Sequence, residues 1–120
     1  MAVIDREERR HPNNVSMEGA HLTRIARLFK GVDQSSGHDV REFVIESGGY
    51  TPCHEHSWHH LIVVLEGTVR LKQGEDSTRS YTWLESGDVV YIPPGERHQL
   101  RNESSESVKF LCLIPEGSGA

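Results

Sequence analysis

The stretch Gly48–Gly67, GGYTPCHEHSWHHLIVVLEG, is the most informative part of this chain. It holds four of the eight histidines, His54, His56, His59 and His60, and an apolar run from Leu61 to Leu65 follows them at once. Neutral imidazole is the commonest protein ligand for metal ions. On a strand alternate side chains share a face, so His54 and His56 project together, about 6.6 to 6.8 Å apart along the backbone. If the chain stays extended through the cluster, His60 joins them and His59 takes the opposite side. Extension nominates three ligands and sets one aside. His59 then reads as a residue of the second face, with a proton shuttle as the lesser alternative.

A fourth ligand has to come from elsewhere, and beyond this cluster the second half of the chain has one more histidine, His98. It lies in Gly87–Asn102, GDVVYIPPGERHQLRN, which reads as strand, tight Pro-Pro-Gly turn, strand. These two segments resemble the two motifs of the cupin superfamily. Gly48, His54, His56 and Gly67 fall on the first motif, with His60 where that motif carries a Glu; Gly87, Pro93, Gly95, His98 and Asn102 meet the second in full. The motifs span roughly half of the chain, and the strand pattern extends the likeness from about residue 20 to 115. With His60 in place of the carboxylate, the chain looks like the small single-domain bacterial cupins with an all-histidine site. Those also tend to end in a run like Phe110–Pro115, FLCLIP. The resemblance implies an all-β fold, a double-stranded β-helix or jelly-roll barrel, and a metal held by His54, His56, His60 and His98.

The remaining sequence bounds the problem. A length of 120 residues fits one domain that buries a core without disulfide staples. A formal charge of -5 argues against a nucleic-acid partner, because phosphate binding needs a basic surface. No apolar run approaches the ~20 residues that span a membrane, and MAVIDREERRHPNN has neither the apolar core of a signal peptide nor the composition of a transit peptide. The expectation is a cytoplasmic protein. Its two cysteines, Cys53 and Cys112, should remain thiols. Cys53 has the parity opposite to His54 and should point away from the metal.

Residues 1 to 16 are charged and turn-rich and are expected to form a flexible arm, 17–116 the single domain, and 117–120 a flexible tail. In Ala20–Lys30 the apolar Leu22, Ile25 and Leu28 recur every third residue, which taken alone favours a short helix. The cupin likeness places a strand there instead, and N-terminal strands of small cupins often pair with a second subunit. A homodimer is expected on that ground. Gly31–Gly37 reads as a loop. In Val40–Glu46 alternate residues separate onto two faces, with Arg41, Phe43 and Ile45 together. Val69 and Leu71 oppose Thr68, Arg70 and Lys72 before a hairpin at QGEDS, and Tyr81–Leu84 resumes the sheet. Parity and the resemblance nominate Phe43, Tyr91 and Phe110 as pocket walls; Cys112, on a strand apolar on both faces, is a further candidate. Trp58, Tyr50 and Trp83 read as packing residues.

Nitrogen donors suit Fe, Mn, Cu, Ni or Zn rather than Ca or Mg. One divalent transition metal per chain is expected, Fe or Mn first. Four neutral imidazoles leave its charge uncompensated, so a small, anionic substrate is favoured. An octahedral ion so held keeps positions open, as catalytic sites do. The leading expectation is a metal-dependent dioxygenase acting on a small carbonyl, enol or alkene compound. The alternatives are a non-redox isomerase or lyase acting on a sugar acid or other small anion, and a ligand-binding module without catalysis. Metal should be lost as pH falls through the range of free imidazole, near ~6.5.

Overall fold

The computed structural model describes residues 2–15, 17–29, 37–74 and 81–118. Residues 1, 16, 30–36, 75–80 and 119–120 lie outside them, including most of the expected Gly31–Gly37 loop and part of the QGEDS turn. A 3₁₀ turn, Glu7–Arg9, precedes nine strands: β1 Asn13–Asn14, β2 His21–Arg27, β3 His38–Tyr50, β4 His60–Glu66, β5 Thr68–Gln73, β6 Tyr81–Glu85, β7 Val89–Ile92, β8 His98–Arg101 and β9 Val108–Pro115. They form one curled antiparallel sheet in the order β6-β5-β8-β3-β9-β4-β7, with β2 on β3 and β1 on β2. This is the all-β jelly-roll half-barrel that the sequence predicts.

Alternation makes the core. On β4, His60, Ile62 and Val64 are buried and the intervening residues are less so; on β9, Val108, Phe110, Cys112 and Ile114 turn inward. Register ties these rows together, Ile62 facing Cys112 and Val64 facing Phe110. Val69, Leu71, Leu84, Ile92 and Leu100 complete one cluster between the two walls.

β3 carries the chain from one wall to the other. Its residues His38–Ile45 pair with β9, whereas its last residue, Tyr50, pairs with Arg101 of β8. The change of partner occurs across Gly48–Gly49. A Cβ on Gly49 would stand 2.7 Å from the His21 carbonyl oxygen, so only glycine admits this approach of backbones. Beyond it, Asn102 anchors the return strand. Its amide is 1% exposed, donates to the carbonyls of Ile45 (2.8 Å) and Glu106 (2.7 Å), and accepts from Ser104 N–H and Oγ.

Ala20–Lys30 resolves in favour of a strand, β2, whose Thr23–Arg27 pair with β3. The three-residue apolar spacing that mimics a helix reflects a bulge between His21 and Thr23, where Leu22 has φ +48°. The N-terminal segment differs from a free arm. β1 pairs with β2, Arg10 binds Asp5 (2.7 Å) and the buried Glu42 (2.5 Å), and Glu7 binds Lys109. Arg10, Asp5 and Glu7 thus tie part of this charged segment to the sheet's outer face, while Arg6, Glu8 and Arg9 are exposed.

Candidate metal centre

The two histidine segments meet through the backbone. His54 and His98 form an antiparallel bridge, each donating its N–H to the other's carbonyl (3.1 and 3.0 Å). The Pro-Pro-Gly turn adds a third clamp, Gly95 N–H to the His56 carbonyl at 2.7 Å. The segment between Thr51 and His59 is not continuous strand: it bends at Ser57–Trp58 before β4 begins at His60. The His54 and His56 rings stand 4.1 Å apart between centroids, edge to face.

His54, His56 and His98 place one nitrogen each within 4.8 Å of one another, a spacing that fits a shared metal ion. His60 lies beside this trio, its ring 5.0 Å from His56 and 4.9 Å from His98. Its Nδ1 is 3.3 Å from the Cys112 sulfur, and its Nε2 is buried without a partner. A buried ring nitrogen left unpaired is costly unless something supplies the missing contact. A metal ion would do so. On His98, Nδ1 stands 3.0 Å from the Glu96 carbonyl, which can only accept, so Nδ1 carries the proton and Nε2 is free for a metal.

Burial and then the neighbouring rings depress the basicity of the group. His54 is lowered, His56 falls to about 4 and His60 to about 3, burial being the largest cause in each. All three rings are thus neutral at physiological pH, as ligands must be. Burial raises the Cys112 thiol against the pull of Arg41, so it too is neutral.

The histidines open into a cavity of about 230 Å³ between the walls. Phe43, Phe110 and Cys112 line it, with the Phe43 and Phe110 rings stacked at 5.2 Å. Tyr91 does not. Its neighbour in register is Leu61, on the outer face, so Tyr91 is 57% exposed and its ring lies near His59 instead. The inward residues of β7 are Val90 and Ile92, one place to either side. Trp58 and Arg41 are among the cavity residues that the sequence reading did not nominate. Trp58 lies flat on His56, 4.6 Å between centroids, with a buried, unpartnered Nε1, and Arg41 reaches in from β3. Both had a signal: Trp58 shares the parity of His54, His56 and His60, and Arg41 that of Phe43.

Comparison with known proteins agrees with this geometry. The cupin domain matches residues 41–114, and the chain belongs to that family. Among solved structures, the polyketide cyclase RemF from Streptomyces resistomycificus superposes with a TM-score of 0.85 at 27% identity, covering 96% of this chain and 80% of its own. A cupin-2 domain protein from Rhodospirillum rubrum gives 0.81 at 20% identity, covering 100% and 78%. A predicted oxalate decarboxylase from Thermotoga maritima gives 0.81 at 19%, covering 94% and 98%. No curated protein matches by sequence. No helix among the described residues is long and apolar enough to cross a membrane.

Proposed function

We propose that this cupin is a metal-dependent dioxygenase acting on a small carbonyl, enol or alkene compound, with one divalent transition metal, Fe or Mn, held by His54, His56, His60 and His98. The observation that carries the four-ligand reading is the buried, unpartnered Nε2 of His60 beside the other three rings. When bound, the metal supplies Lewis acidity and, for Fe or Mn, a site at which substrate and oxygen meet. The chain supplies the rest. Phe43, Phe110 and Ile62 exclude water, Trp58 fixes the His56 ring plane, and the Glu96 carbonyl and Cys112 sulfur orient His98 and His60.

Among the described residues lining the cavity there is no carboxylate. With the four histidines assigned to the metal and the Cys112 thiol kept neutral by burial, the described lining offers no separate base for a proton-shuffling isomerase or lyase, which favours oxygen chemistry. The cavity's 230 Å³ falls below the usual range for drug-sized ligands and favours a small substrate. A second reading, metal-assisted ring closure or cleavage without oxygen, draws on the likeness to a polyketide cyclase at 27% identity.

The test combines metal analysis with oxygen uptake. The purified protein should hold one Fe or Mn per chain and consume oxygen with a small enol or diketone, and His60→Ala should lower both metal content and uptake while the protein remains folded. Turnover that persists without oxygen would transfer the assignment to the second reading. Full metal affinity in His60→Ala would remove His60 from the ligand set.

A further inference from the structure

Arg41 enters the same cavity and has no anionic partner among the described residues. Its register partner on β9 is Cys112, so its side chain projects on the inner face with Phe43. Its contacts are weak ones: Nη2 stands 3.4 Å from the Cys112 sulfur and Cζ lies 5.2 Å over the Phe43 ring. Its Nε is buried and has no hydrogen-bond partner among the described residues.

A guanidinium is always charged, and leaving such a charge unpaired in an apolar cavity is expensive. The planar fork of Arg matches a carboxylate through two parallel N–H···O bonds, and Phe43 beneath it fixes the plane. We propose that Arg41 is the anchor for a carboxylate on the substrate, which narrows the substrate class to small oxo acids or their enols. One end of such a molecule pairs with Arg41, and a carbonyl or enol oxygen points toward the histidines. The Arg41 and His60 ends are linked through Cys112, in contact with both, so a short molecule spans them. The second contact rests on the proposed metal site; the first does not.

The test uses pyruvate and its uncharged isostere pyruvamide with the full-length chain, metal-free and loaded with Co(II). In the metal-free protein, the Arg41 Nε–H resonance should shift with pyruvate and stay put with pyruvamide. In the Co(II) form, pyruvate should perturb the visible bands, and Arg41→Gln should weaken its binding roughly thirtyfold or more, as loss of one partner of a buried charge pair does. Arg41→Lys should recover part of that loss, and pyruvamide affinity and metal content should be unchanged in both variants. An Nε–H resonance indifferent to pyruvate in wild type, or equal losses for pyruvate and pyruvamide in Arg41→Gln, would overturn the proposal without recourse to any variant's folding. Absence of metal binding with an intact Nε–H response would instead remove the dioxygenase reading and leave the anion anchor standing.

Discussion

Single residues of the histidine group are held in a state that water alone would not favour. A free imidazole takes a proton near ~6.5, but burial pushes His56 to about 4 and His60 to about 3. The unfolded chain therefore binds protons first as pH falls. Stability of the metal-free protein from this source is full above ~6.5, declines between there and about 3, and is flat below. The slope is at most about 1.4 kcal/mol per pH unit for each ring, and less for the half-buried His56, where solvent screens the charge. Asp5, Glu7 and Glu46, held low by their hydrogen-bonded partners, add acid sensitivity of their own over a lower range. Urea unfolding of the metal-free protein at pH 7, 5.5 and 4, compared with His60→Gln, isolates the imidazole share. The variant should show a shallower loss between pH 6.5 and 4, and identical profiles would mean that His60 is not held neutral by the fold.

Elements, rather than residues, bring the two histidine segments together, and Asn102 holds the junction. It joins the end of β8, the turn before β9 and the carbonyl of Ile45 on β3 through four hydrogen bonds. Asn102→Ala strands the buried Ile45 carbonyl and should cost about 1–3 kcal/mol in chemical denaturation, with the metal stoichiometry of the folded fraction unchanged. A neutral effect on stability would show that the network is ornamental. The positions of Asn102 and His98 were both legible through the resemblance to the second cupin motif, which fixes their spacing from Pro93 and Gly95. β5 was legible through period-two patterning and β4 as a continuous apolar run after the histidines, signals that need only near neighbours. Tyr91 was misread because the face of β7 is set by its pairing with β4, and strand pairing is not written in the strand itself. The docking of the N-terminal segment was hidden for a related reason. Arg10 and Glu42 are 32 residues apart, and each alone looks like a solvated charge.

At the scale of the whole molecule, the outer wall opposite the histidines is more apolar than an isolated barrel requires. Pairing across β9, β4 and β7 lines up Leu113, Leu61 and Tyr91 in one row and Leu111, Val63 and Val89 in the next, all on the face away from the cavity. Val89 is 65% exposed and Tyr91 57%, with Leu65 exposed at the end of β4. Single exposed apolar residues need no explanation, but contiguous rows across three strands mark a contact surface. We propose a second copy of this chain as the occupant, since the exposed apolar residues Val89, Tyr91 and Leu65 at the β7 end of these rows suit an isologous contact. Light scattering should give about twice the chain mass of 13.5 kDa. Tyr91→Glu and Val89→Glu together place two charges in the rows and should yield a monomer with unaltered metal content, because neither side chain reaches the cavity. A wild-type mass of one chain at all concentrations would assign the apolar rows to another partner, and loss of metal in the monomeric variant would mean that the two faces of the barrel are coupled through β4, whose inner face carries His60 and whose outer face carries Leu61 and Val63.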